Sequence, residues 1–286
     1  MKKVSQTLLI LLKAIGWYFV TTMLAMIPIT VIFMTINNGN MAALQSDTYT
    51  LCSLLATGVL ILVLYFFYRK RQPGLIAFEP QNMISKYGHG LLMGFCLMLV
   101  VWLLALGLGG MTTQLHVQFS RVWLIILFFF AFLIQGMSEE VLIRGYVLGQ
   151  LGQFLSPIWS IVLSASLFAI MHAMNPGVMW VAILNILLFG ILMGMIKHFS
   201  RSLWYVGGLH SMWNFTQGNL LGVQVSGLTT KASVFQSQAI AGHDWVSGSQ
   251  FGLEASVTTT LVLAAMIGIV YWRAEQKQPG WLKTHH

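Results

Sequence analysis

An all-α bundle of about eight membrane-spanning helices is the fold class this sequence predicts, and three observations predict it. The 286 residues are 57% hydrophobic and 8% charged, with a mean hydropathy of +0.78, the balance of a chain solvated largely by lipid. Eight apolar runs approach the roughly 20 residues that a helix needs to cross hydrocarbon. Basic residues collect at alternate ends of those runs, as the positive-inside rule describes.

The first run, 14–36, follows Lys2, Lys3 and Lys13. It is long and lacks an obvious small-residue cleavage pattern, so it reads as a retained span. The second, 50–68, is followed by Arg69, Lys70, Arg71 and Lys86, and the third covers 88–109. Gly107 to Gly110 ("GLGG") lacks the strand-turn-helix setting of a phosphate loop and reads as the end of the third run. The fourth, 122–142, begins after Arg121, and Ser156 and Pro157 turn the chain into the fifth, 158–175, which Asn175, Pro176 and Gly177 should end. The sixth, 178–196, holds Gly190 and Gly194, a small-xxx-small pair suited to close packing, and an uncharged Asn185 suited to an interhelical hydrogen bond. Lys197, the interfacial His198 and Arg201 follow it, and the seventh run covers 202–222. The longest connection, 223–254, contains Lys231, His243 and Asp244, and its Ser, Gly and Gln content predicts a solvated loop. The eighth run, 255–272, precedes Arg273, Lys277 and Lys283; His285 and His286 at the chain end are set aside.

Residues 1–286 therefore read as a single integral domain of the cell membrane, with both termini on the cytoplasmic side. Flanking lysines and arginines account for the net charge of +8, so the lipid bilayer is an expected partner and nucleic acid is not. Cys52 and Cys96 both fall inside runs, where they form neither a disulfide framework nor a metal knuckle. The internal repeat of an inverted-repeat transporter is not evident.

Against this background the polar residues within the later runs stand out. An ionisable side chain in hydrocarbon costs roughly 2.5–3.5 kcal/mol on insertion scales, so its presence asks for a functional reason and a partner. The fourth run carries Glu139, Glu140 and Arg144, the fifth Phe168 and His172, and the seventh His210 and Asn214. Glu140 and Arg144 are four apart and share a helical face, whereas Glu139 is turned about 100° away and is free to face the bundle centre. In a hairpin turning at Ser156 and Pro157, Glu139 and His172 lie at nearly the same level. Three helices thus offer polar groups to one pocket. A desolvated carboxylate beside a histidine can activate water, and His210 and Asn214 can donate hydrogen bonds to an oxyanion. Ser138 adjoins the pair without a Ser-His-Asp order or GxSxG elbow, so it reads as a helix-packing serine.

These segments, "EEVLIR", "FAIMH" and "HSMWN", resemble in order and spacing the EExxxR, FxxxH and HxxxN motifs of the CAAX protease and bacteriocin-processing (CPBP or Abi) family. The resemblance covers a core of about 122–222. It implies an intramembrane endopeptidase of the glutamic type, similar to the type II CAAX prenyl endopeptidases, that needs no cofactor. Carried over by position, Glu139 and His172 would activate water, His210 and Asn214 would form the oxyanion hole, and Glu140, Arg144 and Phe168 would support them. The implied partner is a membrane-associated protein or peptide, lipidated in some members, with bacteriocin maturation or self-immunity as implied roles.

Two other classes compete. A zinc-dependent protease would use Glu139, His172 and His210 as ligands with an open position for water. A non-catalytic transporter or immunity protein would use the same residues to line a proton or ion path.

Overall fold

The computed structural model describes residues 2–72, 74–76 and 78–283, so His285 and His286 lie outside the described residues. All eight apolar runs are helical. The first is α1 (Lys2–Ile36), and the second is divided at Thr57 into α2 (Asp47–Ala56) and α3 (Gly58–Tyr68). After α4 (Met83–Gly107) comes α5 (Val122–Glu140), which continues through a π-helical turn (Val141–Val147) into α6 (Leu148–Leu151). Ser156 precedes α7 (Pro157–Met171), with Pro157 in its first turn, where the missing N–H costs nothing. α8 (Trp180–Ser200), α9 (Leu203–Phe215) with its π turn (Thr216–Leu220), the short α10 (Asp244–Ser247) and α11 (Val257–Lys277) complete the bundle.

The structure refines the span count. Among the described residues, six helical stretches are long and apolar enough to cross a membrane: 2–36, 47–68, 83–107, 119–151, 180–200 and 257–277. The fifth and seventh runs give the shorter α7, of 15 residues, and α9, of 13 residues before its π turn. At 1.5 Å per residue a 15-residue helix is about 22 Å long, short of a roughly 30 Å core. The fifth run ends at Met171 rather than 175, with His172 as its C-cap.

α9 sits inside the bundle, packed between α4 and α5. Glycine permits this close approach. A Cβ on Gly94 of α4 would lie 2.2 Å from the Leu209 carbonyl oxygen, and one on Gly136 of α5 would lie 2.6 Å from the Ser211 amide nitrogen. Gly190 and Gly194 play the expected part between α8 and α7, where Cβ atoms would meet Ala165 and Ile161.

The connection 223–254 departs from the solvated loop that its composition predicts. Val223, Val225, Val246, Phe251 and Leu253 are buried against the bundle, so apolar burial folds the segment back. It also adds a small sheet to the all-α design: β1 (Met111–Leu115) pairs antiparallel with β2 (Phe235–Ala239), from Met111↔Ala239 to Leu115↔Phe235.

Candidate active site

The site is assembled by α5, α7, α8 and α9, beginning from a sealed ion pair. Arg144 donates from Nη1 to Glu140 Oε1 at 2.9 Å, and both side chains are fully buried. This is the i,i+4 pairing read from sequence, made across the π turn that begins at Val141. π turns recur at functional positions because they re-aim side chains within an otherwise regular helix. Nη2 of Arg144 donates to the Gly190 carbonyl at 3.2 Å, and the guanidinium stands 4.8 Å from the centre of the Phe168 ring. Phe168 thus carries a cation–π contact in a desolvated setting.

His210 joins this pair from α9. Its Nδ1 is 2.8 Å from Glu140 Oε1, and a carboxylate paired with arginine can only accept, so Nδ1 carries the proton. Nε2 faces the other glutamate, 3.5 Å from Glu139 Oε2. Phe168 meets the His210 ring edge-on, with centroids 5.9 Å apart, and the His172 ring likewise at 4.6 Å. One aromatic ring therefore contacts Arg144 and both histidines.

Glu139, like its neighbour, has one bonded and one unbonded oxygen, but it is held by a neutral amide and lines a cavity. Oε1 accepts from Gln135 Nε2 at 2.7 Å, while Oε2 is buried and makes no hydrogen bond. Gln135 Oε1 in turn accepts from Asn214 Nδ2 at 2.9 Å, and Asn214 Oδ1 is buried without a partner. His172 lies at the end of α7, where Nδ1 is 2.9 Å from the Phe168 carbonyl oxygen. Since a carbonyl accepts, Nδ1 is the N–H, which in the neutral imidazole leaves the lone pair on Nε2.

Glu139, Phe168, His172, His210 and Asn214 line one cavity of about 110 Å³, well above the roughly 10–15 Å³ that one water needs. Glu140 and Arg144 lie behind its wall. Ser138 donates to the Gln135 carbonyl within its own helix at 2.7 Å, in keeping with its reading as a packing residue. Asn185 does bridge helices: its amide donates to the carbonyls of Glu254 and Ser256, both at 2.8 Å, and accepts from Thr260 at 2.6 Å. The three donors of the zinc alternative, Glu139, His172 and His210, do not form one ligand cluster; among the described residues no three His, Cys, Asp or Glu side chains are grouped to hold an ion.

Sequence reasoning missed Gln135 and the roof of this cavity. Gln135 precedes Glu139 by one helical turn, the one signal that could have drawn attention to it. The roof comes from the long connection, where Glu254 Oε2 accepts from the Ser226 amide at 2.6 Å and the Ser226 hydroxyl at 2.7 Å, with Gln217 Nε2 at 3.4 Å. Asn175 donates to the Ser226 carbonyl at 3.1 Å. His243 and Asp244, by contrast, lie at the start of α10 and do not line the cavity.

Fold and site together define a multi-pass membrane protein whose cavity offers carboxylate, imidazole and amide groups among buried helices. Residues 121–216 match the family model described as type II CAAX prenyl endopeptidase Rce1-like. The match is consistent with the CAAX protease family and supports an intramembrane protease. It begins just before α5 and ends at the first residue of the π turn after α9, so it contains all three motifs. No curated protein and no solved structure matches this chain.

Proposed function

We propose that this protein is a glutamic-type intramembrane endopeptidase acting on a membrane-associated protein or peptide, with Glu139, His172, His210 and Asn214 as its catalytic residues. The observation that carries this reading is Glu139 Oε2, a buried carboxylate oxygen without a hydrogen bond, in a cavity shared with His172, His210 and Asn214. A buried acceptor left unpaired is costly; Glu140 Oε2 also makes no hydrogen bond, but Glu140 does not line the cavity, so Glu139 is the carboxylate that can meet a substrate.

In this mechanism Glu139 Oε2 takes a proton from a water that the His172 Nε2 lone pair helps to orient. The water oxygen forms a bond to the carbonyl carbon of the scissile amide, and the carbonyl π electrons move to oxygen. His210 acts as the imidazolium, with Nδ1–H on Glu140 and Nε2–H turned to the cavity, and it and the second N–H of Asn214 stabilise that oxyanion. Collapse of the intermediate breaks the C–N bond as Glu139 returns its proton to the leaving nitrogen. Donors fixed in advance lower the barrier because they need no reorganisation when charge develops. Glu140 and Arg144 compensate each other and hold His210; Phe168 spaces the two histidines.

The protein belongs to the cell membrane in this reading, with both termini cytoplasmic, a placement supported by the basic residues that follow α3, α8 and α11. Its substrate is membrane-tethered, with lipidated peptides and peptides involved in bacteriocin maturation or self-immunity as the classes to examine. The test is cleavage of a panel of tethered peptides, including a prenylated CAAX peptide, by purified protein in nanodiscs. Chelator-resistant cleavage that Glu139→Gln abolishes is the expected result. Loss with chelator and recovery with added zinc would install the metalloprotease instead. Cellular function surviving Glu139→Gln would favour the non-catalytic transporter or immunity protein.

A further inference from the structure

We propose that Gln135 is a positioning residue that couples the base to the oxyanion donor, an assignment that rests on the hydrolytic reading above. Its primary amide makes two directed bonds at once, donating to Glu139 Oε1 at 2.7 Å and accepting from Asn214 Nδ2 at 2.9 Å. A glutamine is needed for this combination. Leucine has neither group, an ionised glutamate has no donor, and asparagine is a methylene shorter.

Two consequences follow at named atoms. Occupying Oε1 leaves Oε2 as the oxygen of Glu139 that can receive a proton, and Oε2 is the atom beside His210 Nε2. Accepting from Asn214 fixes which end of that amide turns toward Gln135, so one Nδ2–H remains for an oxyanion. The polar groups form a continuous chain from Asn214 through Gln135, Glu139, His210, Glu140 and Arg144 to the Gly190 carbonyl. Gln135 is the link between the two functional ends of that chain. Because orientation alone can carry much of a rate enhancement, a shift of about 1 Å at this link costs on the order of 100-fold.

Gln135 is not a plug of the packed core. It is part-buried and, with Glu139, also lines a second cavity of about 370 Å³ walled by α1 and α2. Substitution there leaves the Glu140–Arg144 pair and the glycine contacts of α9 untouched.

The experiment compares wild type, Gln135→Leu, Gln135→Asn and Glu139→Gln in nanodiscs, using a tethered prenylated CAAX peptide as the cleavage probe and thermal unfolding as the check on folding. Gln135→Leu is expected to lower kcat by about 10- to 100-fold while KM moves less than about twofold. Unfolding temperature should stay near that of wild type. Gln135→Asn should not restore the rate. Wild-type kcat in Gln135→Leu beside an inactive Glu139→Gln would overturn this inference and leave the hydrolytic reading standing; an active Glu139→Gln would overturn the hydrolytic reading itself. A second readout needs no turnover. A hydrophobic carbodiimide modifies carboxyl groups whose oxygens it can reach, and the Gln135 amide covers Glu139 Oε1. Labelling of Glu139, followed by peptide mass spectrometry, should therefore be faster in Gln135→Leu than in wild type, and equal rates would overturn the positioning role whether or not the peptide is cleaved.

Discussion

The two faces of α5 carry the same chemical group and treat it in opposite ways. Toward α8 and α9, Glu140 is fully buried, bonded to Arg144 and His210, and closed off from any cavity. Toward the cavities, Glu139 keeps 21% of its side chain exposed and lines the cavity wall; each carboxylate has one oxygen without a hydrogen bond, and only Glu140 is sealed away. The difference teaches how a membrane bundle accommodates two adjacent carboxylates. One is neutralised by a dedicated cation and sealed into the packing, while the other is held by a neutral amide and stays open to a cavity.

The largest expected effect breaks the open face alone. Glu139→Gln replaces the proposed base with a near-isosteric amide, so turnover should fall to background while unfolding temperature barely changes. Steady-state cleavage beside a thermal melt checks both halves, and measurable turnover in a well-folded variant would remove Glu139 from the mechanism. The sealed face should respond in the reverse sense. Arg144→Met leaves Glu140 buried without its cation, a change that costs about 3–5 kcal/mol. Adding Glu140→Gln should recover much of this, because the uncompensated charge is gone. A double-mutant unfolding cycle measures that coupling; strictly additive effects would mean the pair is not a unit. Next comes Asn214→Ala, which removes one donor proposed for the oxyanion and should lower kcat by about 100- to 1,000-fold with little change in KM. An effect confined to KM would place Asn214 in substrate binding instead.

The sealed face was legible in the sequence and the open face only partly so. Glu140 and Arg144 announce their contact through i,i+4 spacing, and the motif order places Glu139, His172 and His210 on three helices that do meet at one cavity. Helical periodicity carries this information because it is local. Gln135 carried no charge to mark it in an apolar run, and its role depends on Asn214, 79 residues away. The short lengths of α7 and α9 were hidden for a related reason: hydropathy responds to burial in protein as it does to burial in lipid, so α9, enclosed by α4 and α5, looked like a full span. The burial contrast is visible across the bundle. Only 6% of the most apolar window of α1 is buried inside the protein, against 56% for α8, yet composition makes both read as spans. The fold of 223–254 was the least legible, since β1 pairs with β2 across more than a hundred residues and Ser, Gly and Gln supply no periodic signal.

The smallest expected effect tests whether that illegible segment belongs to the site. Glu254 holds Ser226 by its amide and its hydroxyl, while Asn185 holds the backbone of Glu254 and Ser256 from α8. Hydrogen bonds to a charged group contribute about 1.5–3 kcal/mol, so Glu254→Gln should weaken the roof without unfolding the bundle. Amide exchange at Ser226 should accelerate by roughly 10-fold, the equivalent of about 1.4 kcal/mol. Cleavage should change far less than in Asn214→Ala, because Glu254 makes no contact with the groups that carry the proton or the oxyanion in the proposed reaction. Unchanged exchange at Ser226 would assign the closure to the Asn175–Ser226 and Gly227–Phe251 bonds. A fall in kcat as deep as that of Asn214→Ala would instead extend the working face of α5 to the roof, making Glu254 a third carboxylate of the site rather than its latch.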